Sequence, residues 1–386
     1  MKLNIIKLLS IIYLFYFSLI QSIIFVIDHK VDFQIVFFII PLILLSFTFY
    51  FFNAIMTFIY GIASFFYKKD KELFKRGHKL MMLSNPKVAI AIVCYNEGEG
   101  ILKTINAMQK IQYTNKHIFV LDDSTDSTTD ILNSYAKDNN ITILHRYSRD
   151  GFKGNAINNF IEKFKDDFEY FCLFDADWIP RRNFIKKTLP YLLVDNKLAC
   201  VQTARYTYKK FHKSKIVRFS SLSSDTCYYT SLAGRERIGH FIPHTGSCAM
   251  FNIRKVMECG GWRSFITEDT DLGVRIYLNG YVTKYERDIK SYGEEFPQKY
   301  SSIVKQQQRW TYGSMEYCDD LLNNTIFNKK LPIKHKIGML YQEFYYVTPL
   351  FILLMFFCDF LLTFLISTIP TKSFSMISGV LASTIM

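Results

Sequence analysis

Three long apolar segments constrain this chain most, because they decide which parts of it can fold in water. Residues 8–27 read LLSIIYLFYFSLIQSIIFVI without a charge, residues 33–66 form a second apolar run, and residues 346–368 form a third. A helix of about 20 apolar residues crosses the roughly 30 Å hydrocarbon core of a bilayer. The sequence therefore predicts two N-terminal transmembrane helices within residues 1–66 and a C-terminal transmembrane segment within residues 338–386.

A cluster of basic side chains follows the second apolar run, in the segment YKKDKELFKRGHK at residues 67–79. An excess of Lys and Arg beside a span marks its cytoplasmic side, and Lys2 and Lys7 place the N-terminus on that side too. A cleavable signal peptide is the alternative for residues 8–27, but no small-residue cleavage site follows them. We therefore expect a multi-pass cell-membrane protein whose residues 67–297 form a cytoplasmic domain.

The segments after this domain extend the membrane interpretation. Residues 298–337 have amphipathic character and are expected to form helices at the membrane interface. The tail 374–386 is too short to span a bilayer and stops abruptly. It suits the start of a further helix, in a chain that is truncated or that a partner completes with more membrane helices. Membrane lipids are the expected surroundings of both ends.

The net charge of the chain is formally +13, with 47 Lys and Arg against 34 Asp and Glu. Such an excess suits a nucleic acid, an anionic membrane surface or an anionic substrate. No helix-turn-helix, zinc-finger or stacking-module pattern is present in the sequence, so nucleic acid is not expected as a partner. The eight cysteines show no CxxC pair and no metal-ligand spacing, and we interpret them as reduced and mostly buried.

The central region alternates apolar runs with helical patterns. Continuous apolar strands joined by helices are typical of a parallel sheet in an α/β fold. In such a sheet ligands bind beyond the carboxyl ends of the strands, and several of the runs end in polar residues that would meet there. The predicted strands lie at residues 88–96, 117–124, 141–147, 170–177 and 199–206.

Two carboxylates at the end of the fourth run form the pattern Asp175-Ala176-Asp177. Side chains alternate along an extended backbone, so both point to one side and could share Mg²⁺ or Mn²⁺, hard cations that also bind a diphosphate. A turn or a helix cap is the commoner role of such a pair when it stands alone. Asp123, at the end of the second run, could bind a uracil-like base or ribose hydroxyls, while a neighbour such as Ser124 caps the next helix.

Charged groups also stand near the starts of two predicted helices. Lys153 lies between two glycines, which let a backbone approach a phosphate, although a solvated surface lysine is the simpler interpretation. In the segment TEDTDLG, Thr267 would cap a helix, and Glu268 or Asp269 would lie at its positive end. The functional interpretation of the same segment makes Asp269 a general base that takes a proton from an acceptor hydroxyl.

The stretch QQQRW at residues 306–310 lies in an amphipathic segment after the predicted sheet. Arg309 could pair bidentately with a diphosphate, and Trp310 offers a flat face for a sugar ring. Without context, the stretch would be a surface helix with one half-buried Trp.

In their order along the chain, these motifs resemble those of processive family 2 glycosyltransferases, the group of cellulose, mannan and hyaluronan synthases. The resemblance runs from Lys87 to Gly313, and the combination of the TED and QxxRW motifs is its most specific part. It implies a GT-A (nucleotide-diphosphosugar transferase) domain with a mixed, mainly parallel sheet, plus transmembrane α-helices. The motifs that carry it are Asp123, Lys153, Asp175 with Asp177, His244–Ser247, Glu268 with Asp269, and Gln306 with Arg309 and Trp310.

The resemblance also implies a role for each of these residues. Gly246, Ser247 and Trp310 would contact the acceptor. Asp175 and Asp177 would hold Mg²⁺ or Mn²⁺, and the catalytic pair would be Asp269 with Glu268. The residues implied to bind the donor are Tyr95, Glu97, Asp123, Lys153, Asp175, Gln306 and Arg309.

The implied reaction is a metal-dependent hexosyl transfer with inversion, from a UDP- or GDP-sugar to a growing β-linked polysaccharide. A non-processive membrane glycosyltransferase that adds a single sugar to a lipid acceptor is the nearest alternative, so the acceptor is expected to be a glycan or a glycolipid. A non-catalytic membrane subunit is the third interpretation, and the presence of Asp177, Asp269 and Arg309 argues against it.

Overall fold

The computed structural model describes residues 33–207, 214–293, 297, 299–316 and 323–366. The chain divides into two compact units. The larger unit is Ile55–Tyr346, and the smaller one includes the described residues 33–54 and 347–366.

Helices and strands alternate along most of the larger unit, as the apolar runs predict. The elements from the first helix to the fourth strand are α1 (Phe33–Phe65), α2 (Lys71–Ser84), β1 (Val88–Cys94), α3 (Gly100–Gln109), β2 (Lys116–Asp122), α4 (Thr128–Asp138), β3 (Ile141–His145), α5 (Phe152–Phe164) and β4 (Tyr170–Asp175). The remaining elements are β5 (Trp178–Pro180), α6 (Phe184–Val194), β6 (Leu198–Thr207), α7 (Lys215–Thr226), a π turn (Cys227–Ser231), α8 (Leu232–Ile238), β7 (Ala249–Asn252), α9 (Ile253–Glu258), α10 (Glu268–Leu278), β8 (Val282–Gly293), α11 (Tyr300–Glu316) and α12 (Ile333–Ile366).

The strands form one mixed sheet in the order β3-β2-β1-β4-β7-β6-β8-β5. Strands β1 to β4 are parallel, β7 is antiparallel to both β4 and β6, and β8 is parallel to β6. The predicted mixed, mainly parallel sheet is therefore confirmed. Because β7 runs against its neighbours, the loop before Ala249 arrives at the edge where β4 ends, and Ala249 itself pairs with Leu173.

Aromatic and aliphatic side chains cover both faces of this sheet. On one face Phe171 stacks on Phe251 with ring centroids 5.2 Å apart and meets Trp262 edge-on at 6.0 Å. On the other face Phe174 packs against Phe184 of α6. Truncating a buried Phe to Ala in such a core costs about 3–5 kcal/mol, so the sheet is a rigid base for the groups at its edge.

Among the residues that the structure describes, two helices are long and apolar enough to cross a membrane by length and composition, over Pro41–Phe65 of α1 and Ile333–Cys358 of α12. These helices include the second predicted apolar run up to Phe65 and the third up to Ile366. Helix α12 begins at Ile333, before residue 338, where the C-terminal segment was predicted to start. The prediction started later because Lys334 and Lys336 make the first turn of this helix less apolar. The predicted span at residues 8–27 and the tail 374–386 lie outside the described residues.

In the smaller unit, a polar contact and an aromatic contact join the two helical segments. Asn53 donates a hydrogen bond from Nδ2 to Oγ1 of Thr348 at 2.7 Å, and the rings of Phe49 and Phe351 stack with centroids 4.1 Å apart. Such side-chain hydrogen bonds are a common means of association between apolar helices.

Candidate active site

The carboxylate of Asp123 lies directly beyond β2 and is bound by an arginine from the next strand. Arg146 donates from Nε to Oδ1 at 2.7 Å and from Nη2 to Oδ2 at 2.5 Å, and Asp123 is only 4% exposed. Sequence reasoning missed Arg146. Arg146 immediately follows His145, which pairs with Asp122, so its contact with Asp123 depends on the register between β2 and β3 and has no signal in the sequence.

Asp122, one residue earlier, is fully buried and has a structural role. Its Oδ2 accepts from Thr129 at 2.7 Å and lies 2.8 Å from Nδ1 of His145, while Oδ1 accepts from the Ser124 N–H at 3.1 Å. Burial opposes ionisation, but these hydrogen bonds outweigh it and lower the pKa of Asp122. Asp122 therefore fixes the turn from which Asp123 projects.

The loop after β1 brings Tyr95 and Glu97 to the same edge. The guanidinium of Arg149 lies 3.5 Å from the centroid of the Tyr95 ring. Ser124, predicted as a possible helix cap, instead accepts the backbone N–H of Asn96 at 2.9 Å. This bond joins the loop after β1 to the loop after β2. The negative charge of Glu97 contributes to the raised pKa of Asp177.

Lys153 connects several of the predicted site residues. Its Nζ donates to Oδ1 of Asp175 at 2.5 Å and to the carbonyl of Gly246 at 2.7 Å, and lies 4.0 Å from Oε1 of Glu268. Burial alone would lower its pKa, but the charges of Asp175, Glu268 and Asp269 raise it. The structure thus makes Lys153 a half-buried cation beside acidic side chains, and not the solvated lysine that the sequence also allowed.

The pair Asp175 and Asp177 ends β4 at the same place. The backbone N–H of Asp175 donates to Oγ of Ser247 at 2.9 Å. Asp177 is an exposed residue, but desolvation by nearby protein atoms together with the charge of Asp175 raises the pKa of its carboxyl to about 6. Among the described residues, no group of three His, Cys, Asp or Glu side chains could hold a metal ion, so the protein offers two carboxylates here.

Gln202 of β6 holds the loop at residues 244–247. Its Oε1 accepts the Thr245 N–H at 3.1 Å and lies 3.0 Å from Nδ1 of His244, and its Nε2 donates to the Ser247 carbonyl at 2.9 Å. Gly246 has a φ of +83°, and a Cβ built there would lie 3.0 Å from Oδ2 of Asp269. A glycine is required at this position because the backbone passes so close to that carboxylate.

Glu268 and Asp269 begin helix α10, as predicted. Thr267 occupies the cap position but makes no capping hydrogen bond through its side chain, contrary to the sequence-based expectation. Burial raises the pKa of Asp269, and the charges of Lys153 and Arg205 oppose this rise. Burial and the neighbouring charge of Asp269 raise the pKa of Glu268 as well.

A third acid of the same segment, Asp271, is fully buried between two arginines. Arg263 donates from Nε to Oδ1 at 3.0 Å, and Arg275 donates from Nε to Oδ2 at 2.9 Å. Arg275 also donates to the carbonyl of Gly261 at 2.7 Å. This network anchors the start of α10, and the spacing of four residues between Asp271 and Arg275 on one helix was the available sequence signal.

The QxxRW motif lies on helix α11, whose C-terminal part contacts the segment before α10. A Cβ built on Gly313 would lie 2.8 Å from Cγ2 of Thr267, and Glu316 accepts the Ile266 N–H at 3.1 Å. Arg309 is exposed on this helix, and no hydrogen bond or ion pair joins it to another residue of the described part. The structure therefore places the C-terminal part of this helix beside the segment before α10, while the contact of Arg309 with a diphosphate stays a prediction.

Comparison with known proteins gives a family for the chain. The sequence profile of the family described as "Glycosyltransferase like family 2" matches residues 86–313. This match covers more than half of the chain and includes every predicted site residue.

Two plant proteins illustrate the relatives of the chain. It is 29% identical over 273 residues to a probable glucomannan 4-beta-mannosyltransferase 11 of Oryza sativa subsp. japonica, covering 67% of this chain and 47% of the relative. It is 28% identical over 270 residues to glucomannan 4-beta-mannosyltransferase 1 of Cyamopsis tetragonoloba, covering 67% of this chain and 51% of the relative. The chain thus spans about half the length of the curated relatives that it matches.

A solved structure has a similar fold. The mannosyltransferase PcManGT from Pyrobaculum calidifontis, in complex with GDP-Man and Mn²⁺, superposes with a TM-score of 0.59 at 15% sequence identity, covering 86% of this chain and 90% of that one. The likeness confirms a GT-A-like glycosyltransferase fold.

Proposed function

The chain belongs to the glycosyltransferase like family 2, and from this premise we propose that it transfers a hexose from a nucleotide-diphosphate sugar to a growing β-linked polysaccharide. One observation carries the proposal: Lys153, Asp175, Gly246 and Asp269 meet at the edge of the sheet where β4 ends. This meeting puts a cation, a strand-end carboxylate and the carboxylate of Asp269 within reach of one ligand.

The donor would lie across the carboxyl ends of β1, β2 and β4. Tyr95, Glu97 and Asp123 would contact the nucleoside, and Lys153 with Asp175 would lie near the diphosphate. The relatives are named as mannosyltransferases, and the similar structure is a complex with GDP-Man, so GDP-mannose is our first candidate donor. UDP-sugars are the alternatives to be screened.

A divalent cation fits the pair Asp175 and Asp177. Desolvation and then the negative charge of Asp175 raise the pKa of Asp177, and a bound cation would offset both effects. Carboxylate oxygens are the ligands that Mg²⁺ and Mn²⁺ prefer. When bound, the ion would neutralise charge on the departing nucleoside diphosphate.

The transfer step follows from the position of Asp269. Its carboxylate would accept the proton of an acceptor hydroxyl while that oxygen forms a bond to the anomeric carbon, and the bond from this carbon to the diphosphate oxygen breaks. Attack from the face opposite the leaving group converts an α-linked donor into a β-linked product. A base whose pKa is raised towards the working pH is more effective, and burial has this effect on Asp269.

The remaining predicted residues would complete the site around the acceptor. Gly246 and Ser247 would line the acceptor sugar, with Trp310 as a flat surface and Gln306 with Arg309 near the diphosphate. We further propose that residues 67–297 are the cytoplasmic catalytic domain and residues 298–337 are interfacial. The spans over Pro41–Phe65 and Ile333–Cys358 would hold both at the cell membrane.

A donor screen tests the proposal. The full chain would be purified in detergent, supplied with membrane lipids and Mg²⁺ or Mn²⁺, and given radiolabelled GDP-mannose, UDP-glucose or UDP-N-acetylglucosamine in turn. A labelled product of high molecular mass from one donor, absent with Asp269→Asn, is the expected result. A small, lipid-extractable product would contradict polymer synthesis and indicate addition of a single sugar, and no product from any donor would contradict transfer itself.

A further inference from the structure

A basic cavity lies beside the link that follows helix α1, outside the proposed active site. Its volume is about 340 Å³, which is within the range of about 300–1,000 Å³ that is usual for small-molecule sites. Three cationic side chains line it: Lys69 from the link between α1 and α2, Arg181 from the segment before α6, and Lys187 of α6. None of the motifs described above accounts for this group.

Two of these cations pack against one aromatic ring. The Nζ atoms of Lys69 and Lys187 lie 3.6 Å and 5.2 Å from the centroid of the Phe74 ring. Within the described part of the chain, neither lysine donates a hydrogen bond or forms an ion pair. The fold thus brings two like charges to one ring, at an electrostatic cost that a bound anion would offset.

Two acidic residues also line the cavity, but no ion pair among the described residues joins them to these lysines. Glu286 is fully buried, and its carboxylate accepts from the Tyr191 hydroxyl at 2.6 Å and from the Tyr67 hydroxyl at 3.2 Å. Asp288 is exposed. Burial lowers the pKa of Lys69 in spite of the nearby charge of Glu286, so this charge does not compensate the ammonium group.

The cavity adjoins the end of a candidate membrane span. The span over Pro41–Phe65 ends four residues before Lys69. Arg287, the next residue after Glu286 on β8, donates from Nη1 to the carbonyl of Ser64 at 3.1 Å. Because this carbonyl belongs to the last turn of the span, the two opposite walls of the cavity both meet the end of the apolar helix.

Exposed aromatic side chains stand at the same end of α1. Phe65 is 87% exposed and Phe66 is 53% exposed. Aromatic rings beside lysines are typical of the boundary between lipid and water. An amphiphile would contact the rings and the cations together, whereas a free phosphate would leave the rings exposed.

We propose that this cavity binds the phosphate headgroup of an anionic phospholipid. The three cations contact the phosphate, and the acyl chains lie along Phe65 and Phe66. Clusters of basic side chains next to a span attract the anionic lipids of the cytoplasmic leaflet, and Arg and Lys are common partners of phosphate oxygens. The inference goes beyond the transfer reaction and rests on the membrane placement that is part of the proposed function.

Native mass spectrometry of the full chain in detergent tests the site. The probe is palmitoyl-oleoyl phosphatidylglycerol, titrated against wild type, Lys69→Met and Lys187→Met, since Met keeps the approximate length of the side chain and removes its charge. Each variant is expected to weaken the first binding event about fivefold, and the double variant about 25-fold. Lys187→Arg, which keeps the charge, is expected to bind like wild type.

Lys186→Met is the matched control. Lys186 precedes Lys187 on α6 and is exposed, but it does not line the cavity. Its affinity for phosphatidylglycerol should equal that of wild type, and phosphatidylcholine with the same acyl chains should bind all variants equally weakly. If the melting temperature in lipid-free detergent shows that Lys69→Met is misfolded, the comparison of Lys187→Met with Lys187→Arg decides.

Equal binding of phosphatidylglycerol by wild type and the double variant would overturn the inference. An equal loss in Lys186→Met would overturn it too, because the general surface charge would then attract the lipid. Competition by glycerophosphate distinguishes the source of the phosphate. If glycerophosphate binds wild type as tightly as phosphatidylglycerol does, and loses affinity in the variants, the ligand is a soluble phosphate ester and not a lipid.

Reconstitution separates a failure of the site from a failure of the membrane placement. After removal of detergent in the presence of phosphatidylcholine vesicles, wild type and all variants should float with the vesicles. A wild-type chain that stays in the aqueous fraction would overturn the membrane placement and the lipid assignment with it. Sugar transfer enters neither measurement, so a negative donor screen would leave this inference standing.

Discussion

The carboxylates on the two sides of the candidate active site differ in their hydrogen-bond partners and in the direction of their pKa shifts. On the nucleotide side, Asp122 and Asp123 are surrounded by partners: His145, Thr129 and Ser124 bind the first, and Arg146 binds the second at two atoms. On the transfer side, the pKa values of Asp177, Glu268 and Asp269 are raised, with desolvation as the largest cause for each.

This difference separates carboxylates that fix the local backbone from carboxylates that we propose bind a proton or a cation during the reaction. Hydrogen bonds and a bidentate arginine hold the nucleotide-side carboxylates in fixed positions. On the transfer side burial outweighs the partners, so a proton or a cation is favoured there. Active sites commonly keep such poorly satisfied groups at a cost in stability, and the following predictions test this division.

Removal of divalent ions is expected to have the largest effect. EDTA should lower transfer by about 10²-fold or more, because the charges of Asp175 and Asp177 would then repel the donor diphosphate. Mg²⁺ or Mn²⁺ should restore transfer, measured as incorporation of labelled sugar. Full activity in EDTA would remove the metal role from both residues and leave the raised pKa of Asp177 without a function.

Thermal unfolding of two matched variants compares the two sides directly. Asp123→Asn should lower the free energy of unfolding by about 2 kcal/mol, because it leaves the Arg146 guanidinium without its counter-ion. Asp269→Asn should change it by less than about 0.5 kcal/mol or raise it, since a buried carboxyl with few partners is lost. The check is the melting temperature in one detergent, and equal destabilisation by both variants would abolish the distinction.

The sequence was enough to predict where the carboxylates of the site lie, but not which side chains contact them. The apolar runs that end in Asp123 and Asp175 were enough to place both residues at one edge of a parallel sheet. Arg146 was not foreseen, because its pairing depends on the register between β2 and β3. The hydrogen bond from Arg205 to the Tyr228 hydroxyl could not be predicted, because the π turn that carries Tyr228 has no sequence signature and the two residues come together only in the folded chain.

The position of helix α11 was also beyond sequence reasoning, and Gly313→Ala tests it. The added Cβ would lie 2.8 Å from Thr267, so the helix that carries QxxRW must move away from the start of α10. We expect kcat to fall about tenfold with donor KM nearly unchanged, because small displacements of positioned groups are costly. Gly100→Ala is the control, since its Cβ would meet no atom within 4 Å, and equal kinetics of the two variants would refute the packing argument.

Glu268→Gln is expected to have the smallest effect. Burial and the adjacent Asp269 raise the pKa of Glu268, so the side chain is largely protonated at neutral pH and an amide is a close substitute. Steady-state transfer should stay within about threefold of wild type. A loss comparable to that of Asp269→Asn would show that Glu268 is the ionised base, and the roles of the two neighbours would then be exchanged.

The most direct test of the account compares transfer and donor binding in Asp269→Asn, with Asp130→Asn as a variant that removes the same charge from an exposed position on α4. The account predicts that Asp269→Asn loses about 10³-fold in transfer rate while nucleoside diphosphate affinity stays within about threefold of wild type, and that Asp130→Asn changes neither. Normal turnover by Asp269→Asn would show that this carboxylate is not the base and that the contrast between the two sides of the site does not report catalysis.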